Sequence, residues 1–269
     1  MTDKVVLITG SSTGIGKALA FAFGREGARI VLCARRLDSL EAASRELSAA
    51  GIDHLALPAD VSVEAEVKHL VEETIRYYGR LDILINNAGI SMRSMFEDLD
   101  PEVIRKVMDI NFMGTVYATH HALPHIKKTK GSIVGISSIA GYRGLPVRTG
   151  YSASKFAVNG FLEALRTELL HSGVHVLLAC PGFTASNIRF AALDKEGNAS
   201  GETMRDESNM MSAEECADHI LRAVKKRKRD LVLTAQGKLT VFLNKWLPAL
   251  TDKLVYNTLA KEKDSPLRR

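Results

Sequence analysis

Tyr151 and Lys155 are four residues apart in a stretch with helical spacing, so both side chains would lie on one face of a helix. A free tyrosine has a pKa of about 10, which is too high for easy proton exchange near neutral pH. A neighbouring ammonium group favours the phenolate and lowers that pKa. The spacing therefore predicts a tyrosine that donates a proton to a carbonyl oxygen or removes one from an alcohol.

Polar residues follow several apolar runs of the chain, at the points where we expect strands to end. Ser137 and Ser138 follow one such run shortly before Tyr151. The other polar segments of this kind are Asp60-Val61, Asn86-Asn87-Ala88-Gly89 and Pro181-Gly182. In an open α/β sheet the carboxyl ends of the strands face the ligand crevice. We therefore expect these segments to gather around the same site as Tyr151.

A glycine-rich turn joins the first predicted strand to a helical pattern, with the spacing Gly-x-x-x-Gly-x-Gly. Glycines at such a turn let the backbone approach a pyrophosphate, and the helix N-terminus offers free N–H groups and a positive dipole end. A tight turn without a ligand is the alternative, but a strand before and a helix after are the context that a dinucleotide site needs. The residues expected to touch the ligand are Gly10, Ser12, Thr13, Gly14, Ile15 and Gly16.

The end of the second predicted strand indicates which nicotinamide cofactor would bind. An acidic residue there, ~20 residues after the glycines, would bind the ribose 2′-hydroxyl of NAD. This chain has Arg35 and Arg36 at that place, and its next carboxylate is Asp38. Because arginine can grip a 2′-phosphate in bidentate fashion, the pair predicts NADP(H). A solvated loop with two arginines is the alternative.

These motifs lie on alternating strand and helix patterns that continue to about residue 235. The strand candidates are Val5–Thr9, Arg29–Ala34, His54–Pro58, Ile83–Asn86, Ser132–Ser137, His175–Cys180 and Leu231–Leu233. Alternation of this kind predicts a parallel sheet with helices on both faces, and seven strands suit a doubly wound α/β (Rossmann) fold. We expect one domain over residues 1–235 and a C-terminal helical extension over residues 236–269.

The composition is ordinary for a soluble globular protein, since 46% of the 269 residues are hydrophobic and 25% are charged. The three cysteines, Cys33, Cys180 and Cys216, are odd in number and widely spaced, which predicts free thiols in a reducing compartment. The sequence shows neither a signal peptide nor a run of apolar residues long enough to span a membrane. We expect a cytoplasmic protein, with membrane association limited to surface attachment.

The net charge of +5 is concentrated in one basic run, Lys225–Arg229. Basic patches attract phosphates of nucleic acids, lipids or cofactors, but a solvated helix end is the ordinary interpretation. Because no aromatic residues interleave the run, we expect no nucleic-acid partner.

Three histidines, His120, His121 and His125, lie on the helical segment that follows Asn111. His121 and His125 are four residues apart and could share a metal ion. Zinc requires three or four ligands, and no thiolate or nearby carboxylate in the sequence completes such a site. We therefore expect no metal, and histidines at the surface or at a subunit interface.

Together, these motifs resemble those of the classical short-chain dehydrogenase/reductase family from about residue 4 to about residue 235. The matching positions are the glycine turn at residues 9–16, Asp60-Val61, Asn86-Asn87-Ala88-Gly89, Asn111, Ser138, Tyr151-x-x-x-Lys155 and Pro181-Gly182. The resemblance implies hydride transfer between a nicotinamide cofactor and a ketone or secondary alcohol. Many NADP(H)-preferring members carry a basic residue inside the glycine turn, where this chain has Ser12 and Thr13, so the prediction of NADP(H) depends on Arg35 and Arg36.

The family resemblance also implies a role for each matching residue. Tyr151 would exchange the proton with the substrate oxygen, and Ser138 would hold and polarise that oxygen. Lys155 would bind the nicotinamide ribose and lower the Tyr151 pKa, while Asn111 would seat a water that links Lys155 to solvent. The remaining expected cofactor contacts are Asp60 at the adenine ring with Val61 next to it in sequence, Asn87, Ala88 and Gly89 on the adenine ribose side, and Phe183 and Thr184 at the carboxamide.

Two classes of function stay open at this point. The resemblance favours an enzyme, packed as a homodimer or tetramer through the helices that contain Asn111 and Tyr151. The alternative is a cofactor-binding regulatory or scaffold protein with little turnover, since a fold alone does not determine function. Such proteins often lose one catalytic residue, whereas this chain retains Asn111, Ser138, Tyr151 and Lys155.

The tail from Gly237 to Arg269 carries a stripe of apolar residues three or four apart, with lysines beside it. The stripe consists of Leu239, Phe242, Leu243, Trp246, Leu247, Leu250, Leu254 and Val255, and we expect Pro248 to divide two helices. Such a stripe can lie on a membrane surface, pack on a neighbouring subunit or cover the substrate pocket. The tail and the Ser138-Ile139-Ala140-Gly141 segment resemble those of family members that act on lipid or sterol ketones.

The segment from residue 184 to residue 212 is polar and loop-like, and the family resemblance implies that it covers the substrate. Its methionines are Met204, Met210 and Met211. They suit either an adaptable apolar pocket wall or ordinary positions in the core.

Overall fold

The apolar runs of the sequence form one seven-stranded sheet in the computed structural model, which describes residues 1–184, 188, 190–199, 201, 210–262 and 265–268. The strand order is β3-β2-β1-β4-β5-β6-β7, and every neighbouring pair is parallel. The strands are β1 (Val5–Thr9), β2 (Arg29–Ala34), β3 (His54–Pro58), β4 (Ile83–Asn86), β5 (Ser132–Ile136), β6 (His175–Cys180) and β7 (Asp230–Val232). The predicted doubly wound α/β fold is confirmed.

Five strands have the predicted bounds, and two differ by one residue. The strand β5 ends at Ile136 rather than Ser137, because Ser138 turns away and begins a short 3-10 helix. The strand β7 begins at Asp230 and ends at Val232, because Asp230 pairs in register with Leu178 of β6.

Helices connect the strands and cover both faces of the sheet. In the described part of the chain they are α1 (Gly14–Arg25), α2 (Leu37–Ala49), α3 (Glu64–Tyr78), α4 (Pro101–Met108), α5 (Gly114–Thr129), α6 (Thr149–Glu168), α7 (Ala213–Lys225), α8 (Ala235–Trp246) and α9 (Pro248–Ala260). Alternate strand residues face opposite layers: Val6 and Ile8 pack with α1, α2 and α7, whereas Val5 and Leu7 pack with α3, α5 and α6. Because both faces are covered, the strands are continuous apolar runs, as is usual for parallel sheets.

The topology leaves a crevice at the carboxyl ends of β1 and β4. From β1 the chain crosses to β2 and β3 on one side, and from β4 it continues to β5, β6 and β7 on the other. Ligands bind at such a switch point in open α/β sheets. The glycine turn, the β2 end and the start of α6 are therefore brought to one edge.

The chain passes from β7 into the C-terminal helices with only Leu233 and Thr234 between them. The Thr234 side chain begins α8 by accepting a hydrogen bond from Gly237 N at 3.0 Å. A Cβ atom on Gly237 would lie 2.8 Å from Ile139 Cδ1, so α8 passes close to this segment at Gly237. The next helix, α9, begins at Pro248, which confirms the predicted division of the tail.

The basic run Lys225–Arg229 forms the turn between α7 and β7, at the amino edge of the sheet and opposite the crevice. Lys225 pairs with Glu26 at 2.6 Å, and Arg227 donates a hydrogen bond to the Gly173 carbonyl. The run is thus a helix end that contacts neighbouring turns, and it does not reach the strand ends that would hold a phosphate-bearing substrate. No helix within the described ranges is long and apolar enough to cross a membrane.

Candidate active site

A cleft of about 600 Å³ follows the carboxyl edge of the sheet. All the predicted cofactor residues line it: Gly10, Ser12, Thr13, Gly14, Ile15, Gly16, Arg35, Arg36, Asp60, Val61, Asn87, Ala88, Gly89, Tyr151, Lys155, Phe183 and Thr184. Ser138 lines it as well, so three of the four predicted catalytic residues share the cleft. Asn111 is buried behind the wall and does not line it.

The glycine turn is held against the end of β4. Gly10 has a φ of +64°, and a Cβ atom there would lie 2.7 Å from the Ala88 Cα atom. Asn87 Nδ2 donates hydrogen bonds to the carbonyl oxygens of Thr9 at 3.0 Å and Gly10 at 2.9 Å. The Asn87 side chain therefore shapes the turn, and the glycine at position 10 is needed for packing as well as for ligand access.

The amino end of α1 opens into the cleft. Thr13 occupies the N-cap position but makes no hydrogen bond to the first turn through its side chain. The first N–H groups of a helix have no partner within the helix, and together with the helix dipole they attract anions. Gly14, Ile15 and Gly16 line the cleft at this end, so the turn fits the pyrophosphate of a dinucleotide.

Arg35 and Arg36 lie on the cleft rim beyond the end of β2, next to Asp60 after β3. Arg35 Nη1 is 3.4 Å from Asp60 Oδ2. Burial raises the pKa of Asp60, but hydrogen bonds from Ser62 and the charge of Arg35 outweigh it and the net effect lowers the pKa. Asp60 is thus an anion that orients Arg35, and Asp38 is not among the described residues that line the cleft.

Lys155 is the most unusual ionisable group of the cleft. Its side chain is buried, and its Nζ atom donates a hydrogen bond to the Ile136 carbonyl oxygen at 2.9 Å. Burial lowers the pKa of Lys155 from 10.5 to about 8. Such perturbed groups cluster at functional sites, because a cleft that desolvates a charge also makes that charge act strongly on its neighbours.

Tyr151 and Ser138 both line the cleft, as does Lys155. Lys155 Nζ lies 5.7 Å from the centre of the Tyr151 ring. Ser138 caps the short helix Ile139–Gly141, where its Oγ atom accepts a hydrogen bond from Ala140 N at 3.1 Å. That bond leaves the Ser138 hydroxyl proton available, so it can be donated to a substrate oxygen.

Asn111 lies in one turn of π-helix, Asp109–Met113, between α4 and α5. Its Oδ1 atom accepts from Ile90 N at 2.8 Å, and its Nδ2 atom donates to Ile90 O and Ser154 Oγ, each at 2.9 Å. The side chain thus ties the segment after β4 to the helix that carries Tyr151. The water relay predicted for Asn111 stays a prediction.

A second cavity of about 300 Å³ adjoins the cleft and is closed by the tail. The two share Ser138, Leu145, Pro181, Gly182 and Phe183, so the second cavity meets the cleft at Ser138. The apolar tail residues in its wall are Leu239, Leu243, Leu254, Val255 and Leu259.

Three threonine hydroxyls in the wall of this cavity already donate hydrogen bonds to backbone carbonyl oxygens. Thr240 donates to Gln236 O, Thr251 to Leu247 O and Thr258 to Leu254 O, each one helical turn earlier. The cavity therefore offers an apolar surface to a bound molecule, with Ser138 at its inner end.

Most of the predicted stripe is exposed to solvent. Phe242, Trp246, Leu247 and Leu250 are exposed and do not line the cavity, while Leu239 and Leu254 line the cavity but are also exposed. Only Leu243 and Val255 of the eight are half-buried, so the tail combines a cavity wall with an exposed apolar face. Contact of that face with a subunit or with lipid remains a prediction.

Three predictions about neighbouring side chains have structural outcomes. His121 Nε2 lies 3.2 Å from Glu64 Oε1, a carboxylate that sequence spacing did not reveal. No group of three potential metal ligands occurs in the described ranges.

Met211 packs in the core, against the sheet layer covered by α1 and α7, and does not line the pocket wall. Met204 lies outside the described residues. All three cysteines are buried and free.

Several cleft residues were missed by sequence reasoning. Ser39 lies near Ser12, with 3.3 Å between their Oγ atoms, and Arg148 and Glu262 also line the cleft. The position of Arg148, three residues before Tyr151, is a local signal that could have drawn attention to it. Glu262 had no such signal, because only the folded tail brings it to the cleft.

Proteins of a known family are similar to this chain in sequence. The family model described as short chain dehydrogenase matches residues 4–197. The mouse protein named dehydrogenase/reductase SDR family member 7B is 34% identical over 271 residues, which covers 98% of this chain and 84% of that protein. The Arabidopsis thaliana protein named 11-beta-hydroxysteroid dehydrogenase-like 4A is 40% identical over 232 residues, 83% of this chain and 74% of that protein.

Solved structures agree with the fold. A short-chain dehydrogenase/reductase from Burkholderia phymatum, crystallised with NAD, has a TM-score of 0.84 at 24% identity and covers 93% of this chain and 95% of its own. An alcohol dehydrogenase from Thermococcus sibiricus, complexed with 5-hydroxy-NADP, has a TM-score of 0.73 at 26% identity, with coverage of 86% and 95%. The sheet order, the glycine turn at the switch point and the relatives that span nearly the whole chain lead to one assignment: this chain belongs to the short-chain dehydrogenase family of oxidoreductases.

Proposed function

We propose that the chain is an NADP(H)-dependent oxidoreductase that interconverts a ketone and a secondary alcohol on an apolar, lipid- or steroid-like molecule. The observation that carries this proposal is the apolar second cavity, which meets at Ser138 the cleft that Tyr151 lines. An apolar substrate body in that cavity would present its oxygen to these two side chains.

The side chains of the cleft suit acid–base chemistry at that oxygen. A bound nicotinamide would supply or accept the hydride. In the reduction direction Tyr151 would donate its phenolic proton to the carbonyl oxygen, and the Ser138 hydroxyl would hydrogen-bond to the same oxygen. The Lys155 ammonium would favour the phenolate that remains, and would hold the ribose hydroxyls of the cofactor.

Support for an apolar substrate comes from the cavity wall. Its threonine hydroxyls bond to their own helices, so the surface left to a ligand is mainly leucine and valine. Burying such a surface favours binding by about 25 cal/mol per Å². The steroid dehydrogenase-like name of the Arabidopsis relatives agrees with that substrate class.

Leu243→Trp is the direct test of this cavity. The larger ring would fill space that the substrate needs, so we expect KM for long-chain or polycyclic ketones to rise about 10-fold, because each excluded methylene costs ~0.8 kcal/mol of binding. Short ketones would be affected much less. Initial rates of NADPH oxidation over a ketone series measure the difference.

Phe242→Trp is the matched control, because Phe242 lies on the same helix but faces solvent. It should leave every KM unchanged. Equal effects of the two variants, or a Leu243→Trp enzyme that handles bulky ketones normally, would place the substrate elsewhere.

The preference for NADP(H) is supported by the rim of the cleft at the β2 end. Two guanidinium groups and the hydroxyls of Ser12 and Ser39 line the cleft there. The Asp60 carboxylate forms an ion pair with Arg35. Arg36 forms none of the ion pairs found among the described residues. The positive rim suits a 2′-phosphate better than a 2′-hydroxyl.

Charge reversal at the rim should change the choice of cofactor. We expect Arg36→Asp and Arg35→Asp each to lower the ratio of kcat/KM for NADPH over NADH about 10–100-fold, since a hydrogen bond to a charged group contributes about 1.5–3 kcal/mol. Arg45→Asp is the control, because Arg45 lies on α2 outside the cleft and pairs with Glu41. A wild type that prefers NADH, or an unchanged ratio, contradicts the proposal.

We further propose that residues 1–235 form the catalytic domain and residues 236–269 an extension that completes the substrate cavity. The exposed face of α8 and α9 is then available to a second subunit or to a membrane surface, so a homodimer or tetramer, a cytoplasmic location and peripheral membrane contact remain predictions. No observation on the described residues or on the relatives favours a scaffold protein with little turnover.

A further inference from the structure

Six of the eight stripe residues form an exposed apolar face on α8 and α9. Each has at least 46% of its surface exposed, and they are Leu239, Phe242, Trp246, Leu247, Leu250 and Leu254. Because the members on each helix recur three or four residues apart, they lie along one side of that helix. A group of large apolar side chains left in water is typical of a surface that binds a partner.

Lysines border this exposed face. Lys238, Lys245 and Lys253 are exposed, and each is three or four residues from an apolar member of the face. The acidic residues of the described tail are Asp252 and Glu262, and each is paired with an arginine of the domain. The charge displayed beside the apolar side chains is therefore positive.

The sign of this charge favours an anionic lipid surface over a second copy of the chain. In a two-fold contact the same surface of both copies would meet, so the lysines would face one another without acidic partners. At an anionic bilayer the lysines reach the lipid phosphates while their alkyl stems follow the apolar side chains. Trp246 is the most exposed member of the face, at 65%, and tryptophan favours the boundary between headgroups and acyl chains.

The exposed face also borders the opening of the second cavity. Leu239 on α8 and Leu254 on α9 line that cavity, although 56% and 46% of their surfaces are exposed. A side chain that both lines a cavity and meets solvent stands at its opening. Leu243 and Val255 line the same cavity and are half-buried, so the apolar wall continues inward from the face.

We propose that α8 and α9 dock on the surface of an anionic lipid bilayer, and that an apolar substrate passes from the bilayer between Leu239 and Leu254 into the second cavity. In the docked protein Trp246 and Leu250 lie at the boundary of the acyl chains, and the lysines lie at the phosphates. The docking depends only on the exposed face, whereas the entry route rests on the proposed function.

Trp246 is the only tryptophan of the chain, so its fluorescence reports directly on the docked face. The probe is vesicles of phosphatidylcholine with about 30% phosphatidylserine, compared with vesicles of phosphatidylcholine alone. With the anionic vesicles the emission of the full-length protein should shift to shorter wavelength, and lipids brominated on their acyl chains should quench it. Added salt should weaken both effects, because it screens the lysines. Unchanged emission with anionic vesicles would overturn the inference.

Single substitutions identify the docking surface by flotation with the same vesicles. Leu250→Ser should lower the vesicle partition coefficient about 10-fold, because one large apolar side chain is lost from the bilayer. Lys245→Glu should lower it about 5-fold or more. The matched controls change an exposed leucine after α6 and an exposed lysine of the basic run, Leu170→Ser and Lys226→Glu. Both should bind as the wild type does; controls that lose as much binding as their counterparts would show that the tail is not the docking surface.

The entry route is tested with a long-chain methyl ketone held in the anionic vesicles and a short ketone dissolved in water. The quantity measured is the ratio of kcat/KM for the first ketone over the second. Leu250→Ser should lower this ratio about 10-fold, in proportion to its loss of vesicle binding, although Leu250 does not line the cavity. Leu170→Ser should leave the ratio unchanged. A Leu250→Ser enzyme that loses vesicle binding but keeps the wild-type ratio would refute entry from the bilayer.

The two measurements separate this inference from the proposed function. If no ketone is reduced but anionic vesicles shift the Trp246 emission, the proposed reaction fails and the docking stands. If soluble ketones are reduced and vesicles leave Trp246 unchanged, the reaction stands and the docking is refuted. The docking is also refuted if vesicles have no effect while the protein self-associates and Leu250→Ser abolishes that association, because the face is then an interface between copies.

Discussion

Tyr151→Phe is expected to reduce ketone turnover by about 10²–10⁴-fold, the usual contribution of a positioned general acid. The substitution removes one hydroxyl and keeps the ring that lies over Lys155. Because the glycine turn and the arginine rim are untouched, NADPH should bind with its Kd within about twofold of wild type. Loss of kcat with cofactor binding retained is the signature of a group that acts on the reacting oxygen.

The measurement combines NADPH oxidation with fluorescence titration of the cofactor. Tyr142→Phe is a suitable control, because Tyr142 is a half-buried phenol on the same chain segment that lines neither cavity. Burial raises the pKa of Tyr142, so it is not suited to proton exchange near neutrality. Turnover above about 5% in Tyr151→Phe, or an equal loss in Tyr142→Phe, would refute the assigned role of Tyr151.

Lys155→Met is expected to lower turnover about 10²-fold or more while stabilising the cofactor-free protein. The loss follows from removing a preorganised charge beside Tyr151. The gain follows from burial, which lowers the Lys155 pKa from 10.5 to about 8 and so costs folding roughly 3 kcal/mol at neutral pH. The Ile136 carbonyl loses its donor, which offsets ~1 kcal/mol, so a net gain of about 1–2 kcal/mol remains.

The pH dependence of this gain gives a second check. Below about pH 8 the ammonium is charged in both the folded and unfolded states, and the full cost of burying it is present. Between pH 8 and 10.5 the folded state loses its proton first, so the wild type becomes more stable relative to Lys155→Met as pH rises.

Denaturant unfolding of the two cofactor-free proteins at about pH 7 and about pH 9.5 measures this difference in the free energy of unfolding. The advantage of the variant should shrink at the higher pH. If Lys155→Met is the less stable protein at pH 7, or if its advantage does not depend on pH, the buried ammonium is not the source of the effect. A Lys155→Met enzyme with normal turnover would separately refute the role of the charge.

Much of the sheet could be predicted because parallel strands buried on both faces are short, continuous apolar runs. Val5–Thr9 and His175–Cys180 have their predicted bounds, since a glycine or proline and polar residues follow each. The bounds of β7 differ because its register is set by pairing with β6, a contact between distant residues. Such pairing leaves no trace in a local hydrophobic pattern.

Some contacts of the candidate site are likewise local in sequence, and others join distant parts of the chain. Tyr151 and Lys155 are one helical turn apart, so their proximity follows from local geometry alone. Arg148 and Glu262 are 114 residues apart in sequence, and their contact exists only because the tail folds back over the cleft. Asn111 was predicted from a motif, but only the fold shows its side chain holding Ile90 and Ser154.

The sequence by itself determined the class of fold, the glycine turn, the basic rim and the Tyr151–Lys155 pair, because each is a pattern within a few neighbouring residues. Only the tertiary structure decided how the tail is used. Helical periodicity treats all eight residues of the stripe alike, yet Leu243 and Val255 line the second cavity whereas Phe242 and Trp246 face solvent. The difference arises from contacts between residues distant in sequence, since Gly237 lies against Ile139 and Asn244 bonds to Tyr142 and Arg143 of the domain.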